Sequence, residues 1–128
     1  MNFELLFADQ PDKKVRYALT GAKGGFARTL LAQTRLIDRL VPAVLCDLDL
    51  KGLKALCEEL RYTNLCECNS LADIKNSPEN AVILVSDVEL LKHIDHDILV
   101  EATGNPKVGY RTATEAINAG RHVAMVSK

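Results

Sequence analysis

The sequence predicts an α/β domain built on a doubly wound, mainly parallel sheet with helices on both faces. Three observations carry this expectation. Short apolar runs alternate with longer amphipathic segments along the 128 residues, the pattern of repeated strand-helix-strand units. Runs such as Ile98-Leu99-Val100 are apolar without alternation, as in strands covered on both faces and joined by right-handed crossovers. The segment Gly21-Ala22-Lys23-Gly24-Gly25-Phe26-Ala27 lies between the first apolar run and the first helical one, where a tight turn must carry the chain from strand to helix.

Taken in order, residues 2–8 read as a short leading helix and 10–14 as a polar connection containing Pro11. A strand at 15–19 enters the glycine turn. Helix 25–40 follows, with Leu30, Leu31, Thr34, Ile37 and Leu40 on nearby faces. A second strand at 41–46 tolerates Pro42 because it stands near the strand's start, and a second helix covers 50–61. The stretch 62–80 is the least readable: a short helix fits 70–75 and a turn fits Asn76-Ser77-Pro78. Beyond it come a strand at 81–85, a helix at 87–93, a strand at 97–102 and a helix at 107–119 stopped by Ala119-Gly120. A last strand occupies 122–127. No repeat or low-complexity segment interrupts the pattern.

Composition narrows the function classes. The chain has the length of one domain with a sizeable core. It is 48% hydrophobic but only 5% aromatic, with a formal net charge of −1, which suits a soluble domain built from Leu, Val, Ile and Ala. No basic patch points to nucleic acid. No apolar run approaches the roughly 20 residues of a membrane span, and Met1-Asn2-Phe3-Glu4 lacks the charged and apolar regions of a signal peptide, so a cytoplasmic location is expected. Of the four cysteines, Cys46 and Cys57 fall on a strand and a helix and read as packed thiols. Cys66-Glu67-Cys68 lacks the second pair of a zinc signature. His93 and His96 are expected in a solvated loop.

The chemistry lies in the glycine turn. A strand running into such a turn and then a helix aims free backbone N–H groups and the positive end of the helix dipole at one place, where an anion belongs. Gly21 permits a sharp exit from the strand, Gly24 a close approach of phosphates, and small Ala27 a close approach of helix to strand. The spacing Gly-x-x-Gly-x-x-Ala is one residue off the commoner dinucleotide fingerprint. Asp47 ends the second strand about 20 residues further on, where a carboxylate accepts hydrogen bonds from the ribose hydroxyls of NAD and repels the extra phosphate of NADP. Lys23, Lys51 and Arg16 would partly offset that repulsion. These features predict a Rossmann-type, NAD(P)-binding fold. Thr103, Gly104 and Asn105, after the fourth strand, are placed to meet the nicotinamide ribose or ring. Asn105-Pro106 also reads as an ordinary helix start, and both roles can coexist. Ser127-Lys128 follows the last strand at the same edge.

The phosphate turn, Val44-Leu45-Cys46-Asp47-Leu48-Asp49, Ser86-Asp87-Val88-Glu89-Leu90-Leu91, Asp97-Ile98-Leu99-Val100-Glu101-Ala102-Thr103-Gly104-Asn105-Pro106 and Ala119-Gly120-Arg121-His122-Val123-Ala124-Met125-Val126 resemble the amino-terminal half of homoserine-dehydrogenase-like NAD(P)-dependent oxidoreductases. The similarity is to the branch with a carboxy-terminal SAF domain, covers nearly the whole chain, and is most specific at Glu101 to Pro106. The glycine turn is one residue longer than the branch's version, and Ser127-Lys128 replaces an expected Asn-Val-Glu. That ending is similar to the Asn-Lys of homoserine dehydrogenases proper, which implies a catalytic position for Lys128. The resemblance implies a cofactor domain spanning 1–128 of a longer oxidoreductase, with hydride transfer to or from a small hydroxy or oxo substrate. It also implies an inactive fragment when that domain stands alone, since the substrate pocket comes from another domain. Exposed apolar surface meant for that domain would favour a homo-oligomer. The alternative is a stand-alone NAD(H)-binding redox-sensing or regulatory module.

Overall fold

The computed structural model describes Asp9 and residues 13–127. The expected leading helix at 2–8, most of the connection at 10–14 and Lys128 lie outside the described residues. Strands β1 (Val15–Thr20), β2 (Leu40–Cys46), β3 (Leu65–Glu67), β4 (Val82–Val85), β5 (Ile98–Glu101) and β6 (His122–Met125) form one sheet. Their order is β3-β4-β2-β1-β5-β6, and every neighbouring pair is parallel. Helices α1 (Gly25–Thr34), α2 (Leu50–Glu59), α3 (Leu71–Lys75) and α4 (Pro106–Asn118), with a 3-10 helix at Val88–His93, make the connections. This is the Rossmann-type arrangement the sequence predicts. Strand order reverses at β1, which has β2 on one side and β5 on the other, so a ligand crevice opens above the carboxyl ends of those strands.

Strand alternation sorts the core into two layers. Tyr17, Leu19, Leu45 and Leu84 face Ala27 and Leu31 of α1 and Leu53, Leu56 and Cys57 of α2. Ala18, Val44, Cys46, Ile83, Val85 and Leu99 point the other way, toward Leu91, Ile94 and Ala116. Both faces are covered, so the central strands carry no polar alternation; each fully buried Leu contributes about 1.5–3 kcal/mol. Pro42 is the third residue of the interior strand β2 and is accommodated by a register shift: Tyr17 pairs with Pro42 but Ala18 with Val44, leaving Ala43 as the extra residue.

Several boundaries differ from expectation for identifiable reasons. Helix α1 ends at Thr34 rather than at 40 because its last turn is pinned: Thr34 Oγ1 donates to Leu30 O at 2.8 Å and accepts from the buried Tyr17 hydroxyl at 2.9 Å, while Tyr62 Oη donates to Leu31 O at 2.7 Å. The chain then turns so that Leu40 can pair with Val15. Helix α2 stops at Glu59, not 61, because Arg61 adopts φ 68° and the amides of Arg61 and Tyr62 bond back to Glu58 O and Cys57 O, a left-handed helix stop without the usual glycine. Strand β3 was not expected at all: three half-buried or exposed edge residues carry too little pattern. The segment after β4 is a 3-10 helix, with the Asp87 carboxylate accepting from Glu89 N at 2.9 Å.

His96 corrects another expectation. It is not in a solvated loop but 5% exposed, with Nδ1 2.7 Å from Ile94 O, so Nδ1 carries the donated proton. Burial pushes its pKa below 6.5 and neighbouring Arg121 adds to that, against the raising effect of the Ile94 carbonyl. His93 is exposed as expected.

Candidate functional site

β1 runs to Thr20 and turns at Gly21, where φ is +66°. A Cβ there would stand 2.3 Å from Ala102 O, well inside contact distance, so only glycine lets this turn lie against the exit of β5. The next three amides are spent internally. Ala22, fully buried, donates to Cys46 O at 3.1 Å, Lys23 to Asp47 Oδ2 at 3.0 Å, and Gly24 to Gly21 O at 3.0 Å. Gly24 is the N-cap of α1 and supplies no side-chain cap, and Arg28 is the first residue to bond back along the helix, to Gly24 O at 2.9 Å. The amides of Gly25, Phe26 and Ala27 therefore have no acceptor among the described residues, and no acidic side chain occupies the first turn. Ordinary helix starts leave such donors to a cap, water or an anion. No Cβ-distance atom crowds Gly25, which leaves the approach open. Phe26 is half exposed, whereas Ala27 is fully buried against the sheet.

Asp47 is fixed across this turn from the end of β2. Its Oδ2 accepts from Lys23 N and its Oδ1 from Asp49 N at 2.9 Å. Each oxygen retains a lone pair for a further donor. Asp49 caps α2 through Gly52 N at 3.0 Å and pairs with Lys23 Nζ at 2.7 Å, both side chains about half exposed. The pairing raises the Lys23 pKa and lowers that of Asp49. Gly52 makes room for the pair: a Cβ there would lie 2.4 Å from Asp49 Oδ2. Arg16, expected to offset the acidic end of β2, cannot do so. It is the second residue of β1, and its amide bonds Asp97 Oδ2 at the sheet's amino edge.

The turn after β5 is organised by Glu101, which lies in the Glu101-to-Pro106 segment expected to carry function but to which the sequence assigns no role of its own. Glu101, the last residue of β5, is fully buried. Its Oε1 accepts from Thr103 N at 3.0 Å, from the Thr103 hydroxyl and from the Thr20 hydroxyl at 3.4 Å. Burial pushes its carboxyl pKa up, but the Ser127 hydroxyl close by and the hydrogen bonds from the Thr103 hydroxyl, the Thr103 amide and the Thr20 hydroxyl outweigh that, so the group stays below 4.5 and is an anion at neutral pH. Gly104, at φ +72°, donates to Ser127 Oγ at 2.8 Å. Asn105 caps α4, its Oδ1 accepting from Lys107 N at 3.0 Å and Val108 N at 3.3 Å. The helix-start role is thus real, and it leaves the Asn105 amide nitrogen free to donate elsewhere.

A cleft of about 350 Å³ opens between these turns, lined by Gly21, Cys46, Asp47, Leu48, Ser86, Asp87, Val88, Thr103, Asn105 and Val108, a size typical of small-molecule sites. Four of the expected site residues, Gly21, Asp47, Thr103 and Asn105, meet there. Ala22, Lys23, Gly24, Gly25, Phe26 and Gly104 are not among its lining residues; the first five follow Gly21 along the chain, and Gly104 lies between Thr103 and Asn105. Ser86 to Val88 were missed as lining, although their place just past a strand's carboxyl end was a usable signal. Cys46 lines the cleft as an inert thiol: burial, then the charges of Asp47 and Asp87, pushes its pKa up to about 12. Among the described residues no group of three or more His, Cys, Asp or Glu is placed to hold a metal ion, and none of the helices is long and apolar enough to cross a membrane.

No family model matches the chain, and no curated protein matches it. Solved structures do. The myo-inositol dehydrogenase of Lactobacillus casei, in complex with NAD(H) and myo-inositol, superposes with a TM-score of 0.60 at 16% identity over 88% of this chain and 28% of its own. The WlbA dehydrogenase of Bordetella pertussis, with NADH and UDP-GlcNAcA, gives 0.58 at 22% identity over 88% and 29%. The 1-deoxy-D-xylulose 5-phosphate reductoisomerase of Zymomonas mobilis, with NADPH, gives 0.59 at 17% over 90% and 32%. At such identities the likeness is one of fold, and the chain spans less than a third of each of these three enzymes. The neighbours are nicotinamide-dependent enzymes of several kinds, so they carry the Rossmann-type fold without singling out the homoserine-dehydrogenase-like family.

Proposed function

We propose that the chain binds a nicotinamide dinucleotide, NAD in preference to NADP, as the cofactor domain of an oxidoreductase similar to homoserine dehydrogenase. The observation that carries this is a switch-point cleft lined by Gly21 and by Asp47, the carboxylate fixed just past β2, with the turn that starts at Gly21 running into a helix start whose first amides are unfilled. The residues fit the group. Amides of Gly25, Phe26 and Ala27 suit a diphosphate, with Gly21, Ala22, Lys23 and Gly24 shaping the turn beneath it. Asp47 suits the adenosine ribose, and Thr103, Gly104 and Asn105 suit the nicotinamide side. When bound, the dinucleotide supplies or accepts a hydride; this chain's part is to bind and orient it. By resemblance, Lys128 takes the catalytic position, near the nicotinamide and a small hydroxy or oxo substrate. The neighbours of roughly three times this length support reading the chain as one part of a larger enzyme whose other part holds the substrate.

Calorimetric titration with NADH and NADPH tests this reading. NADH should bind more tightly, and Asp47→Ala should cost NADH on the order of tenfold, the worth of a hydrogen bond to a charged group, while NADPH loses less. Unchanged affinity for both nucleotides would overturn the assignment of Asp47.

A further inference from the structure

We infer that Glu101 is a positioning residue for the nicotinamide half of the site, a sealed anion that sets the turn Thr103-Gly104-Asn105 without touching the ligand. The inference rests on the dinucleotide reading above. Three strands end around this one residue, two of them tied to its side chain or carrying it and the third to its main-chain carbonyl. Thr20 closes β1 and donates to Oε1; Thr103 donates to the same oxygen through both its amide and its hydroxyl. The Glu101 carbonyl in turn accepts from Val126 N at 2.8 Å and Ser127 N at 3.2 Å, just past β6. Ser127 passes the constraint back, because its Oγ accepts from Gly104 N. Thr103 passes it forward: with its proton committed to Glu101, its oxygen accepts from Asn105 N at 3.2 Å. Every residue of the turn is thus referred to Glu101, directly or through one intermediary.

The rest of the carboxylate is walled off. Oε2 finds no hydrogen-bond partner among the described residues. Gly109 passes directly over it, where a Cβ would stand 2.9 Å from Oε2 with the Met125 methyl 3.5 Å from the same point. A buried anion with an unpaired oxygen is costly, and the first turns of α4 beside it offer the positive end of a helix dipole. A neutral side chain would fill this space at lower cost if packing were the only requirement. The charge fits a group that must hold several donors in one arrangement.

The test is a comparison of two ligands on the full chain. NADH probes both halves of the site, and ADP only the adenosine-diphosphate half, so the ratio of their dissociation constants reports the nicotinamide side. In Glu101→Gln, which keeps the shape but turns donors against an amide, NADH should weaken by about tenfold while ADP stays within about twofold. Ser127→Ala and Thr103→Ala, at partly exposed positions that leave the core intact, should move the ratio in the same direction by smaller factors. Parallel loss of both ligands in Glu101→Gln, or an unchanged ratio in the Ser127 and Thr103 variants, would overturn the role. If the wild-type chain bound neither ADP nor NADH, the dinucleotide reading itself would fall, a result separable from a shared loss confined to the variants.

Discussion

Replacing Gly21 by alanine tests the geometry on which the site is built. Two penalties add. A left-handed φ of +66° costs a non-glycine residue about 1–2 kcal/mol. The new methyl would also stand 2.3 Å from Ala102 O, so the carbonyl must retreat by about 1 Å to reach contact distance, and overpacking of this kind costs about 1–3 kcal/mol. The sum is about 2–5 kcal/mol. An unfolding entropy of about 2.1 cal/mol/K per residue over this chain means each kcal/mol lowers Tm by about 4 °C, so the loss is about 8–20 °C. Gly104→Ala is the internal control. Its φ is similar, +72°, but nothing lies within 4 Å of its Cβ position, so only the conformational penalty applies, about 4–8 °C. The restriction that alanine imposes on the unfolded chain is common to both variants and cancels in the comparison. Differential scanning calorimetry reads the two losses directly. Equal losses in the two variants would refute the close approach of the Gly21 turn to Ala102, and no loss in either would refute the left-handed turns.

Two further predictions address electrostatics. The folded-state pKa of His96 lies below 6.5, so the unfolded chain binds the proton more readily: the stabilisation is complete above about pH 6.5 and is lost as pH falls toward the folded value. Urea unfolding should therefore show lower stability at about pH 5 than at about pH 7, and His96→Gln should flatten that part of the profile; an equally steep profile in the variant would show that other groups titrate there. Asp49→Asn, by releasing Lys23 from its ion pair, should raise NADPH affinity relative to NADH; a ratio that does not move would mean that Lys23 does not reach the 2′-phosphate.

The parts of the fold legible in the sequence are those whose signal is both local and long. β2 and β4 read as unbroken apolar runs, β1 is largely apolar with its buried part at Tyr17 to Thr20, and α4 shows its start in Asn105-Pro106 and its stop in Gly120. The failures are of other kinds. The end of α1 is set by Tyr17 and Tyr62 from distant parts of the chain, which no local pattern reports. The end of α2 uses Arg61 in a conformation that sequence reading reserves for glycine. His96 sits among polar neighbours in sequence but beneath α4 and the 3-10 helix in space. At the candidate site, Asp47 and the glycine turn stand out in the sequence because their spacing is near that of a dinucleotide fingerprint. Glu101 fell within a candidate segment, but its role was not legible, because its partners Thr20, Thr103 and Ser127 come together only when three strands end at the same level.

The approach of Gly21 to Ala102 bears on how the molecule can breathe. Thr20 O accepts from Ala102 N at 3.2 Å, and the next Cα rests on the Ala102 carbonyl with no room even for a methyl group, so the two turns flanking the crevice form one rigid floor. Close-packed contacts transmit displacement instead of absorbing it, and no hinge can operate between β1 and β5. Any widening of the cleft therefore falls to its remaining lining, which includes Leu48, 93% exposed just past β2.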